Sequence, residues 1–163
     1  MTPAVLLHLP DEEATLALGA ALGRALAGAK HPAALLLSGP LGSGKTTLVR
    51  ALVSVLPGAE AAEVASPSFN IVNLYPTRPQ VAHFDLYRVA GPAPEEFMEL
   101  CETQGILVVA EWAENILRAD WPEEALHLVW RPVPSGRALE ISALGKAASV
   151  LLEDLAPALN HWQ

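Results

Sequence analysis

Apolar positions follow three rhythms along this chain. Ala33-Ala34-Leu35-Leu36-Leu37 and Ile106-Leu107-Val108-Val109-Ala110 are continuous apolar runs with no polar face. Such runs predict strands buried on both sides, as in the parallel part of a sheet. Residues 5–9 predict a first strand. Asp11 then suits a helix N-cap, with Glu12 and Glu13 at the positive helix end, and the helix runs to about Gly28. Residues 47–53 form a second amphipathic stretch, and the unit that begins at residue 33 runs to about residue 56, where Pro57-Gly58 closes it. Residues 69–75 and 80–87, separated by Pro76-Thr77-Arg78-Pro79, predict an antiparallel hairpin. A short helix is expected over 94–104 and another over 114–118. Residues 125–132 and 137–143 predict a second hairpin turning at Pro134-Ser135-Gly136, and residues 146–159 a last helix. The expected fold is α/β: a mixed, mainly parallel sheet with antiparallel hairpins, flanked by helices.

Between the first buried strand and the second amphipathic helix lies Gly39-Pro40-Leu41-Gly42-Ser43-Gly44-Lys45-Thr46, a G-x-x-x-x-G-K-T pattern. Strand, glycine-rich loop and helix form the context in which this pattern cradles phosphates. Glycines let successive N–H groups turn inward as an anion nest, and the helix directs its positive end to the same place. Lys45 is placed to reach the outer phosphates and the Thr46 hydroxyl to hold Mg²⁺. Contacts to nucleotide are expected from Gly39, Gly42, Ser43, Gly44, Lys45, Thr46 and Thr47. The expectation is a nucleoside triphosphate site with magnesium.

Magnesium typically takes one or two carboxylates besides the phosphates. Two acids end hydrophobic strands: Glu111 after residues 106–110 and Asp85 after Val81-Ala82-His83-Phe84. One would hold the metal and the other orient attacking water. Strand-end position favours Glu111 for the metal side, while the division of roles stays open. Each also suits a plainer role, as a solvated strand end or a turn and cap residue. Trp112 follows Glu111 and would cover the nucleotide or meet a partner, whereas Trp121, Trp130 and Trp162 read as core. His83 reads as a hydrogen-bonded structural residue. Arg88 suits either a phosphate or a surface ion pair.

Bulk properties narrow the setting. A chain of 163 residues with 52% hydrophobic and 17% charged residues suits one domain with a proper core. No apolar run approaches a membrane span, the first residues lack a basic signal-like start, and Cys101 has no disulfide partner in the chain. A cytoplasmic location is expected. The formal net charge of -8 makes the chain a poor binder of nucleic acid by itself, so a role in a nucleic-acid pathway would run through a protein partner.

The order of GPLGSGKTT at 39–47, SPSF at 66–69, HFDLYR at 83–88 and EWAE at 111–114 resembles the TsaE family of small bacterial ATPases, also called YjeE. LPDEEAT at 9–15 and SGR at 135–137 fit as well, so the resemblance covers almost the whole chain. It implies a P-loop NTPase-like fold and an accessory ATPase in the formation of threonylcarbamoyladenosine on tRNA. Partners would be TsaB- and TsaD-type proteins that carry the transfer chemistry, with tRNA engaged only through the complex. ATP and Mg²⁺ are the implied cofactors, with hydrolysis slow alone and stimulated in the complex. The resemblance implies Lys45 on the phosphates, Thr46 and Glu111 as magnesium ligands and Asp85 as a catalytic carboxylate. Trp112 would lie near the nucleotide or partner, and 66–69, with Ser68, would form a switch-like loop. Glu12, Thr15, Gly136 and Arg137 would approach the base side of the nucleotide. Ser68 stands where the family more often has Thr, which keeps the hydroxyl. Ala113 stands where Pro is common, which implies a looser exit from the strand.

Other nucleotide-binding classes leave marks that are missing. The seven arginines, at 24, 50, 78, 88, 118, 131 and 137, form no cluster such as a small-molecule kinase lid carries. Lysines stand only at 30, 45 and 146, so no N/T-K-x-D guanine-recognition segment exists. A nucleotide-sensing module without turnover remains compatible with the sequence.

Overall fold

In the computed structural model, which describes residues 3–29, 33–67 and 70–163, the strands assemble into one mixed sheet. In chain order they are β1 (Val5–Leu9), β2 (Ala34–Ser38), β3 (Val72–Tyr75), β4 (Gln80–Asp85), β5 (Ile106–Glu111), β6 (Ala125–Arg131) and β7 (Arg137–Leu144). The α-helices are α1 (Glu12–Ala27), α2 (Lys45–Ser54), α3 (Glu95–Cys101) and α4 (Lys146–Leu155). Across the sheet the order is β1-β7-β6-β2-β5-β4-β3. The four central strands β6, β2, β5 and β4 run parallel, and the pairings outside them are antiparallel. Both continuous apolar runs sit at the centre, side by side, with Leu35 opposite Val109 and Leu37 opposite Glu111.

Alternation along these strands feeds two cores. Leu35, Leu37, Val81, Leu107 and Val109 pack with residues of α1, α2 and α4. Ala34, Leu36, Ala82, Phe84, Val108 and Ala110 pack on the opposite face with Phe97 of α3. Asp11 caps α1 as expected, its carboxylate accepting the Ala14 N–H at 2.8 Å.

Where α1 crosses α2, the backbones nearly touch. A Cβ at Gly19 would lie 2.5 Å from the Leu48 carbonyl oxygen, and one at Gly23 would lie 2.5 Å from that of Leu52. Neither backbone oxygen can move aside without shifting α2. Gly19→Ala is therefore expected to destabilise the protein by about 1–3 kcal/mol through overpacking, despite alanine's better helix propensity. Urea melts check this; a variant as stable as the parent would show that the two helices separate freely.

Several expected boundaries move. The strand over 80–87 stops at Asp85, because the Asp85 carboxylate accepts the Tyr87 N–H at 3.0 Å and turns the chain. β3 begins at Val72, and residue 69 lies outside the described residues. The helix expected over 94–104 closes at Cys101. The helix expected over 114–118 is replaced by 3-10 turns at Ala113–Asn115 and Arg118–Asp120. Between them Ile116 is extended, buried and bridged to Gly91, an arrangement that a helix would break. The last helix ends at Leu155 and continues as a 3-10 helix through Trp162, because Pro157 cannot donate to an α-helical carbonyl.

Candidate functional site

Strand parity and register assemble the site. Val81 on β4 and Leu107 and Val109 on β5 face α2, so His83, Asp85 and Glu111 face it too. The β4–β5 register sets Asp85 directly beside Glu111, and the β2–β5 register sets Glu111 beside Leu37. The glycine-rich loop leaves the end of β2 and turns into α2. Gly42 (φ 76°) and Gly44 (φ 105°) both hold left-handed conformations that favour glycine. Lys45 is the first residue of α2, so the helix directs its positive end at the loop.

These elements enclose a cavity of about 620 Å³. Its walls include Glu12 and Thr15 from α1, Gly42 to Thr47 from the loop and α2, Asp85, Glu111 and Trp112 from the strand ends, and Gly136 and Arg137 from the β6–β7 hairpin. Gly39 does not line it. Its N–H donates to Glu114 at 3.2 Å and its carbonyl accepts from Lys45, so it shapes the loop from behind. Gly39 also passes close to β6, where a Cβ would lie 2.8 Å from the Trp130 Cβ. Ser68 lies outside the described residues.

Lys45 is buried and donates to the carbonyls of Gly39 and Pro40, the latter at 2.9 Å. Burial lowers the pKa of its amine, against the opposing pull of Glu111, Glu114 and Asp85. The amine lies 4.2 Å from the centroid of the Trp112 ring, a cation–π contact. Trp112 is the one non-glycine residue with positive φ among the described residues, at 62°. Such a conformation costs about 1–3 kcal/mol. It turns the ring over Lys45 and brings it within 4.9 Å of the Tyr87 ring centroid. The strand exit after Trp112 is not loose, despite Ala113: Asn115 N–H donates to the Trp112 carbonyl, and Trp121 Nε1–H donates to that of Ala113.

The Thr46 hydroxyl donates to Glu111, 3.1 and 3.2 Å from its two oxygens, and lies 2.7 Å from Ser66 Oγ. A hydroxyl and a carboxylate in contact at a helix N-terminus are hard oxygen donors of the kind magnesium takes beside phosphates. Asp85 is more open; its carboxylate accepts the Tyr87 N–H and reaches the cavity. Arg137 spends its donors on backbone: Nε on the Ser43 carbonyl (3.1 Å), Nη2 on that of Gly42 (3.1 Å) and Nη1 on that of Gly136 (3.0 Å). It braces the loop from the cavity rim. Glu114 and Tyr75 join the site or its support without having been singled out from the sequence, whereas Ser66 and Tyr87 fall within the SPSF and HFDLYR segments. Only the EWAE spacing hinted at Glu114; Tyr75 had no signal, because its role depends on the β3–β4 pairing.

Fold and site together define a class: an open α/β sheet with a glycine-rich loop and helix at the carboxyl end of a central parallel strand, beside two strand-end carboxylates. Residues 9–138 match the family model described as Threonylcarbamoyl adenosine biosynthesis protein TsaE. The tRNA threonylcarbamoyladenosine biosynthesis protein TsaE of Aquifex aeolicus is 39% identical over 108 residues, covering 66% of this chain and 75% of that protein. Its counterpart from a Nostoc species is 37% identical over 119 residues, with 68% of each chain covered. The crystal structure of Bacillus subtilus YdiB superposes with a TM-score of 0.75 at 25% identity, over 97% of both chains. The chain belongs to the TsaE family, whose name places it in threonylcarbamoyladenosine biosynthesis.

Proposed function

We propose that this chain binds Mg-ATP in the cavity at the α2 N-terminus and hydrolyses it to support threonylcarbamoyladenosine formation on tRNA. It does so in the cytoplasm with TsaB- and TsaD-type proteins, which hold the tRNA. The observation that carries this reading is the convergence of Lys45, Thr46, Asp85 and Glu111 on one cavity. Loop amides, the helix end and Lys45 bind the phosphates. Thr46 and Glu111 would hold magnesium, which when bound neutralises charge on the phosphate oxygens. Asp85, in the neighbouring strand register, orients water toward the terminal phosphate. The family membership supports the pathway, and the net charge of -8 supports the dependence on partners. Arg137 is the one arginine on the cavity wall, and its donors serve the loop, which disfavours a small-molecule kinase.

The deciding experiment reconstitutes the chain with TsaB- and TsaD-type proteins, tRNA and a threonylcarbamoyl donor. Threonylcarbamoyladenosine is then counted over many turnovers with and without ATP. A yield that does not depend on this chain removes the pathway reading. Arg137→Ala tests the loop brace. It is expected to weaken Mg-ATP binding roughly tenfold, about 1.4 kcal/mol, in line with the loss of hydrogen bonds from a charged donor. Titration calorimetry measures this, and unchanged affinity would show that the loop holds its shape without the arginine.

A further inference from the structure

Behind the cavity, a closed circuit of hydrogen bonds joins three residues of its wall, Thr46, Glu111 and Ser66, through His83, Tyr75 and Ala65, which do not line it. Glu111 accepts from Thr46 on one side and from His83 Nε2 on the other. A carboxylate only accepts, so His83 carries its proton on Nε2. The other ring nitrogen, Nδ1, lies 2.8 Å from the Tyr75 hydroxyl. That hydroxyl meets both backbone groups of Ala65, 3.1 Å from its carbonyl and 3.3 Å from its nitrogen, and Asn73 donates to the same carbonyl at 3.0 Å. Ser66, the next residue, returns to Thr46 Oγ1 at 2.7 Å and closes the ring. His83, Tyr75 and Glu111 are 0%, 3% and 4% exposed, so water competes little for these bonds.

The geometry points to His83 and Tyr75 as positioning residues that couple the Thr46–Glu111 pair to the Ala65–Ser66 segment. This rests on reading that pair as the magnesium side of the site. With Nε2–H given to Glu111, Nδ1 accepts the single Tyr75 hydroxyl proton, and the Tyr75 oxygen in turn accepts the Ala65 N–H. Tyr75 comes from the edge strand β3, His83 from β4 and Glu111 from β5, so the circuit crosses three adjacent strands. A change in how Thr46 and Glu111 are engaged alters the bond to His83, and through Tyr75 the hold on Ala65. The reverse holds by linkage: loosening Ala65 weakens the metal side. A structural histidine would explain the burial of His83. It would not require Thr46, Glu111 and the 65–66 segment to share one ring.

The test uses Tyr75→Phe, which deletes one hydroxyl remote from the cavity, and His83→Gln, which keeps a donor toward Glu111 and shortens the reach to Tyr75. ATP binding is titrated by calorimetry across magnesium concentrations, with an EDTA arm, and amide exchange at Ala65 and Ser66 is followed with and without Mg-ATP. Both variants are expected to need roughly tenfold more magnesium for half-maximal nucleotide binding, the low end of losses for groups supporting a metal ligand. Their metal-free ATP affinity is expected to match the parent, and Mg-ATP is expected no longer to slow exchange at Ala65 and Ser66. Parental magnesium dependence in either folded variant overturns the coupling, even with a lowered melting temperature. A parent chain whose ATP binding ignores magnesium removes the functional reading, and the coupling with it.

Discussion

Lys45→Ala is expected to weaken Mg-ATP binding at least 100-fold, about 2.7 kcal/mol, and to abolish support of threonylcarbamoyladenosine formation. The size follows from what the side chain does. Its amine is buried at the head of α2, bonded to two loop carbonyls and stacked on Trp112. Alanine removes the cation that would meet the phosphates, frees the Gly39 and Pro40 carbonyls and leaves the Trp112 ring without its cation. Hydrogen bonds to a charged donor contribute about 1.5–3 kcal/mol, and the phosphate interaction adds to that. Lys45→Arg is expected to rescue little, because a planar guanidinium cannot replace a compact ammonium under an indole ring. Calorimetry with Mg-ATP measures the affinity, and circular dichroism confirms the fold. Parental affinity in folded Lys45→Ala protein would mean that phosphates bind elsewhere.

The parts of this site that were legible in the sequence are those encoded within one segment. The glycine-rich loop carries its own geometry, and continuous apolar runs mark β2 and β5 because both faces are covered. Asp85 and Glu111 were visible as acids ending apolar strands. Their adjacency was not, since it depends on the β4–β5 register, which no local pattern encodes. Arg137 lines the cavity, yet its engagement with the carbonyls of Gly42 and Ser43 spans more than ninety positions of chain. The helix expected over 114–118 failed because a tertiary bridge to Gly91 outweighs the propensity of so short a segment.

Exchanging the two carboxylates for amides should separate their roles. Asp85→Asn is expected to lower turnover of the assembled complex by roughly 10²–10⁴-fold, the range for loss of a group that orients or takes a proton, while Mg-ATP affinity stays within about threefold. Its carboxylate bonds the Tyr87 N–H, which the amide oxygen can still accept, so stability should hardly change. Glu111→Gln is a different case. Glu111 sits between the Thr46 hydroxyl and His83, and both approach it as donors. An amide keeps the shape but offers one oxygen, so its NH₂ group meets a donor on one side. The charge that balances Lys45 is also lost. The variant is expected to raise the magnesium requirement 10- to 100-fold in addition to slowing turnover. Quenched-flow hydrolysis and magnesium titrations on both variants read the difference. Parental ATPase in the complex with Asp85→Asn would remove Asp85 from the chemistry, and a parental magnesium requirement in Glu111→Gln would move the metal away from β5. Alanine at 111 is the poorer test, because it strands the buried His83 and confounds metal loss with unfolding.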